Sequence, residues 1–261
     1  MTHNKRKAFL YCFLGLASLA SLTWPSTSFA QKSADEITEK ISKFLNMPKN
    51  RLVLECPGKS IDFPVLNDKK AMRFCLERSQ QQQRCEVAIK GLKRSPKEQK
   101  ISYETLIENS ASKPEKWFSI MQIHSFPDQG EKWRCPPFSL EYHNNTIRLF
   151  NRYDPYEISK TTGYNCAEAG STITSQNVFK DSSASGWIKL AFDLALSHKE
   201  DGKIKTTMNG RTFPVLRGSN IYNDKQDPFL KFGIYKPTSW DKNHKISCVT
   251  YRDIDISGMS E

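Results

Sequence analysis

Between Arg51 and Ile256, apolar side chains recur at every second residue in short runs. That period admits β-strands over most of the chain and excludes long helices. Two of the runs, Trp117-Phe-Ser-Ile-Met-Gln-Ile-His124 and Phe229-Leu-Lys-Phe-Gly-Ile-Tyr-Lys236, break the usual division into an apolar and a solvated face. In the first, Gln122 and His124 share one face. In the second, Leu230, Phe232 and Ile234 form an apolar face while Lys231, Gly233 and Tyr235 point the other way. A sheet face carrying Gln, His, Lys and Tyr, with a glycine leaving room among them, is not built like a core. It is a floor for something polar.

Other runs follow the same parity. Met72, Phe74 and Leu76 face inward, and Arg84, Glu86 and Lys90 lie opposite Val87 and Ile89. Phe138, Leu140 and Tyr142 alternate up to Asn144-Asn145, and Ile147 to Phe150 return with Arg148 on the polar side. Asn144-Asn145-Thr146 fits a glycosylation sequon but reads better as a hairpin turn, as do Asp201-Gly202 and Asn209-Gly210. Ser95 to Lys100 reads as a charged turn, and residues 151–186 as the least regular region. Ser33 and Glu36 form a capping box ahead of Ile37, Ile41, Phe44 and Leu45, predicting a helix over 34–45. The expected fold is all-β: an antiparallel β-sandwich of jelly-roll, concanavalin-like type with one short N-terminal helix.

Residues 1–30 read as a signal peptide, with basic Asn4-Lys-Arg-Lys7, an apolar run from Ala8 to Leu22, and Ser28-Phe-Ala30 before Gln31. Residues 31–261 show no composition break and read as a single β-jelly-roll domain. Export to the periplasm or beyond is expected, with no membrane association after cleavage and a monomeric mature chain. Removing Lys5, Arg6 and Lys7 from the formal charge of +11 leaves +8. Such a surplus draws polyanions. In an exported chain it points to an acidic polysaccharide rather than nucleic acid.

Six of the seven cysteines follow the leader, an even number that suits disulfides in an oxidising compartment. Cys56 with Cys248 would tie the first strand to the last, and Cys135 with Cys166 would close a long loop. Cys75 and Cys85 are nearest in sequence, but parity sets them on opposite faces. The pairing stays open. None of the six shows the tight spacing of a zinc site, and no metal is expected.

Gln122-Ile-His124 followed by Lys231-Phe-Gly-Ile-Tyr235 resembles the jelly-roll polysaccharide lyases, including the alginate lyases. Pro136-Pro-Phe-Ser-Leu140, Trp187, Gly202 and Asn209-Gly210 extend the similarity to the glucuronan and heparinase-I-like lyases. The resemblance implies β-elimination from a uronic-acid polymer, without a cofactor. Gln122 and Arg84 would neutralise the sugar carboxylate. His124 would be the base, or would hold the carboxylate in a syn elimination. Tyr235 would protonate the leaving oxygen, or act as both base and acid in the syn case. Lys231, Lys90 and Arg148 would grip neighbouring sugars, and Glu86 would orient Arg84 or a sugar hydroxyl.

The chain departs from the alginate lyases where Arg84-Cys-Glu-Val-Ala88 lacks a second Arg, where Phe232 replaces Ala, and where Pro237 replaces Gln. A non-catalytic carbohydrate-binding protein on the same sandwich is the alternative. A glycoside hydrolase would need a carboxylate partner for Glu86, which the polar face does not offer.

Overall fold

The computed structural model describes residues 26–56, 60–80, 82–109, 117–162, 166–182, 185–236 and 245–259. It opens with α1 (Ser26–Leu45). The first half of the strands comprises β1 (Leu52–Leu54), β2 (Ile61–Asp62), β3 (Val65–Leu66), β4 (Lys69–Lys70), β5 (Met72–Glu77), β6 (Arg84–Ile89), β7 (Ser95–Asn109) and β8 (Phe118–His124). The second half comprises β9 (Phe138–His143), β10 (Thr146–Tyr153), β11 (Thr174–Asp181), β12 (Trp187–Leu196), β13 (Lys203–Met208), β14 (Arg211–Thr212), β15 (Leu216–Arg217), β16 (Phe229–Tyr235) and β17 (Ile246–Asp255).

Two antiparallel sheets make the sandwich. One has seven strands in the order β1-β6-β16-β8-β9-β10-β11, the other eight in the order β14-β13-β12-β7-β17-β5-β2. Strands distant in sequence lie side by side, as in the jelly roll expected. The core fills the space between the sheets. Tyr103 on β7 meets Phe232 on β16 edge-on at 5.1 Å and also packs on Phe192 and Tyr251. Burying each such ring contributes roughly 1.5–3 kcal/mol.

Three local expectations are corrected. Among the described residues the helix spans Ser26–Leu45, so Ser33 lies within it and not at its start. Its far end follows from Asn46, at φ 50°. The N–H groups of Met47 and Asn46 donate back to the Ser42 and Lys43 carbonyls at 3.0 and 3.4 Å, which closes the helix in a Schellman motif. Ile41 and Leu45 enter the core as their spacing requires.

Ser95 to Lys100 is not a turn but the first part of β7, because the long β12 continues pairing as far as Leu196 opposite Ser95. Region 151–186 contains β11, an edge strand that pairs with β10. Two of the three two-residue turns hold; Asp201 and Gly202 instead end a six-residue connection, 197–202, between β12 and β13. Asn144 and Asn145 have φ of 51° and 58°, and Asn209 and Gly210 have 49° and 83°, as tight hairpins demand.

The signal peptide expected over 1–30 lies outside the described residues up to residue 25, and α1 runs through the Ala30–Gln31 junction. No helix among the described residues is long and apolar enough to cross a membrane.

Disulfides join Cys56 to Cys85, Cys75 to Cys248 and Cys135 to Cys166. The last matches expectation; Cys56–Cys248 does not form. The strand ahead of Cys56 and the strand holding Cys248 belong to different sheets, and Cys248 lies directly opposite Cys75 on β5.

Candidate active site

The outer face of β6, β16 and β8 carries the polar set. Register places Tyr235 opposite Arg84, Gly233 opposite Glu86, Lys231 opposite Gln122, and Phe229 opposite His124. Period two brings these residues to one face, and antiparallel pairing sets them in adjacent rows.

Gly233 does not leave room for a ligand. A Cβ there would lie 2.1 Å from the Cys85 carbonyl oxygen, so the glycine admits the backbone of β6, and its φ of +134° favours Gly as well. The β16–β8 register shifts between Phe232 and Tyr235. Tyr251, reaching across from the other sheet, holds this irregularity. Its hydroxyl accepts from Gly233 N–H at 3.2 Å and donates to the Ile120 carbonyl, with the Gly233 carbonyl 3.1 Å away.

Four charged groups meet on this floor. Glu55, just beyond β1, accepts hydrogen bonds through one oxygen from both Arg84 Nη1 and Lys231 Nζ, each at 2.7 Å. Burial alone would raise the Glu55 carboxyl, but the Lys231 and Arg84 contacts outweigh it and hold the carboxyl below its ordinary value. Glu86 is buried; its Oε1 accepts from Gln122 Nε2 at 2.8 Å, and its Oε2 stands 3.7 Å from both Lys231 and Arg84. Burial pushes Glu86 up to about 7, against the pull of Lys231 and Arg84. The Arg84 guanidinium lies 4.6 Å over the Tyr235 ring.

His124 stacks on Phe229 at 5.5 Å and meets Trp133 edge-on at 5.4 Å. Burial lowers it to about 4, with a Ser125 hydrogen bond opposing and Lys231 and Arg84 adding to the fall, so it is neutral at pH 7. Its Nδ1 lies 3.0 Å from both the N–H and the carbonyl oxygen of Ser125. When Nδ1 accepts from the N–H, Nε2 carries the proton and can donate. When Nδ1–H donates to the carbonyl, Nε2 has a free lone pair and can act as a base. One proton separates the two roles.

A loop forms the facing wall. Arg134, fully buried, donates to Glu131 and Ser159 at 2.7 Å each and pairs with Asp224. The neighbouring Cys135 is tied to Cys166, and its carbonyl accepts from the Tyr222 hydroxyl at 2.9 Å. This anchoring holds Trp133 at the rim, 62% exposed. Floor and wall enclose a cavity of about 390 Å³ lined by Glu55, Arg84, Gln122, His124, Trp133, Arg134, Cys135, Pro136, Phe229, Lys231 and Tyr235. A larger cavity, about 670 Å³, lies between α1 and β2 to β4. Among the described residues its lining is apolar apart from Lys40, Lys43, Lys70 and Asp62, and Asp62 is paired with Arg73.

Of the eight residues expected from sequence, Arg84, Gln122, His124, Lys231 and Tyr235 line the smaller cavity, and Glu86 lies beside it under Gln122. Lys90 is exposed at the end of β6, and Arg148 lies two strands beyond β8, paired with Glu141 at 3.0 Å. Glu55 and Trp133 were missed. A charge at a strand end and a tryptophan in a charged loop carry no periodic signal. Among the described residues no group of three or more His, Cys, Asp or Glu side chains gathers as a metal would require.

The fold has counterparts among solved structures. An endo-β-1,4-glucuronan lyase from the fungus Trichoderma reesei aligns with a TM-score of 0.58 at 14% identity, over 78% of this chain and 86% of that one. An alginate lyase from Pseudomonas aeruginosa aligns with a TM-score of 0.46 at 14% identity, over 74% and 84%. One from Zobellia galactanivorans gives 0.47 at 11% identity, over 82% and 97%. No curated protein matches the sequence. The polysaccharide lyase family profile matches residues 58–253, three-quarters of the sequence and every element that builds the cavity floor except β1. The chain belongs to the polysaccharide lyase family.

Proposed function

We propose that the protein cleaves a uronic-acid-containing polysaccharide by β-elimination in the cavity above β6, β16 and β8. The observation that carries this reading is the convergence of His124, Tyr235, Gln122, Arg84 and Lys231 on one cavity. The C5 proton of a uronate is weakly acidic, because its removal adds negative charge beside a carboxylate. Arg84, Lys231 and the Gln122 amide supply cations and a donor where that charge develops. Glu86 fixes the Gln122 amide by accepting one of its protons.

His124 Nε2 takes the C5 proton when Nδ1–H is held by the Ser125 carbonyl, or donates to the carboxylate in the other tautomer. The C4–O4 bond breaks, a C4=C5 double bond forms, and Tyr235 passes its proton to O4. In the syn case Tyr235 performs both transfers. No step calls for a cofactor. Arg148 faces outward along the same floor, in the row that runs through Glu141, Ser119 and Tyr235 to Arg84, where a neighbouring acidic sugar would lie.

The test is ultraviolet absorbance during incubation with a panel of polyuronates, since elimination leaves a conjugated unsaturated uronate. A rise on at least one polymer is expected. Binding without any rise would make the protein a carbohydrate-binding one instead.

Trp133 offers its exposed ring to the face of a pyranose beside His124. Trp133→Ala should raise KM about tenfold, with kcat within about threefold, a loss of roughly 1.4 kcal/mol in binding. Steady-state kinetics on the active polymer checks this, and an unchanged KM would exclude the stacking role.

The chain is read as exported, cleaved after Ala30 and working as a monomer in the periplasm or outside the cell. Three disulfides suit such a compartment. N-terminal sequencing of the exported protein should begin at Gln31.

A further inference from the structure

The cations that would receive a sugar carboxylate are already engaged. Arg84 comes from β6 and Lys231 from β16, and both donate to the same oxygen of Glu55 at 2.7 Å. Glu55 stands in the cavity wall. Its backbone is fixed, since its N–H donates to the Glu86 carbonyl at 2.8 Å and the next residue, Cys56, is bonded to Cys85 on β6. Its side chain is a quarter exposed, so the carboxylate has solvent beside it into which to turn. Glu86 is different: it is buried and held by Gln122.

Resting on the lyase reading, we propose that Glu55 is a resident stand-in for the substrate carboxylate, displaced from Arg84 and Lys231 when a uronate binds. Both cations aim their donors at one Glu55 oxygen, so a substrate carboxylate can take those donors only when Glu55 turns away. Binding is therefore an exchange of one carboxylate for another. A small anion has only its own charge with which to displace Glu55. A polymer also has neighbouring sugars to contribute contacts, so Glu55 selects chains over free acids. The residue acts on specificity; it transfers no proton.

The experiment titrates acetate and D-glucuronate into the wild-type protein and into Glu55→Gln and Glu55→Ala. Binding is read from Trp133 fluorescence and from the NMR shift of the Lys231 ammonium, after thermal melts confirm that each variant folds. The wild type should take up both probes weakly. Both variants should bind them about tenfold more tightly or better, because a competing carboxylate within hydrogen-bond distance has been removed. Binding that is unchanged or weaker in both variants would overturn the exchange and leave Glu55 as a brace that positions the two cations. The absorbance assay separates this from the lyase reading. Silence on every polymer with a gain in Glu55→Gln would sink the lyase and keep the exchange. Elimination with no gain would do the reverse.

Discussion

Tyr235→Phe should lower kcat on the active polymer by about three orders of magnitude while KM changes by less than about threefold. General acid–base catalysis contributes on the order of 10²–10⁴ in rate, and the leaving O4 is a poor leaving group without a proton. Phenylalanine keeps the ring that Arg84 covers at 4.6 Å, so the floor retains its shape and the loss is confined to the hydroxyl. His124→Ala run beside it divides the two elimination routes. If His124 is the base, its loss should match that of Tyr235→Phe in kcat. If it only holds the carboxylate, kcat should fall less and KM should rise. Initial rates of unsaturated uronate formation, with binding of the intact polymer measured by calorimetry, decide between them. A Tyr235→Phe enzyme retaining more than about a tenth of wild-type kcat would show that another group protonates O4.

The part of this site visible in the sequence is the part set by period two. Lys231, Gly233 and Tyr235 had to share a face opposite Leu230, Phe232 and Ile234, and all three of those apolar residues are fully buried. Gln122 and His124 follow the same rule. Which strands would be neighbours was not readable from periodicity, because β6, β16 and β8 are far apart in the chain. Resemblance to the lyases supplied that step.

Glu55 is the clearest omission. Its meaning arises only when β1 closes the edge beside β6 and its carboxylate meets cations from two other strands. Gly233 shows the opposite error: its presence among polar residues looked like space for a ligand, yet the space is taken by the Cys85 backbone. The Cys56–Cys248 pairing failed for the same reason as Glu55. Parity separates Cys75 from Cys85 correctly, but only sheet membership reveals that Cys248 faces Cys75.

Glu86→Gln should stabilise the protein relative to wild type progressively as pH rises, by about 3 kcal/mol between pH 4.5 and pH 8. The folded-state carboxyl of Glu86 is raised from 4.5 to about 7, so the native state holds a proton that the unfolded chain releases. Its contribution is complete below pH 4.5 and is lost as pH climbs through about 7; each pK unit corresponds to roughly 1.4 kcal/mol. His124 acts in the opposite sense. Lowered from 6.5 to about 4, it contributes stability above pH 6.5 that is lost as pH falls through about 4.

In the wild type the two slopes oppose each other between about pH 4.5 and 6.5, which flattens the profile there. Glutamine keeps an oxygen for the Gln122 amide and removes only the titration. The groups facing Glu86 are Glu55, Arg84, Lys231, Gln122 and Tyr251, and all of them remain in the variant. Subtracting the two urea-denaturation profiles therefore largely cancels every other ionisable group. A difference that does not grow with pH would mean that Glu86 is ionised throughout and that its oxygens are better matched to Lys231 and Arg84 than their 3.7 Å separations imply. A growing difference would identify Glu86 as a buried acid that is still partly protonated near pH 7, which leaves the cluster short of negative charge. That deficit is the electrostatic condition under which a sugar carboxylate is drawn to Arg84 and Lys231.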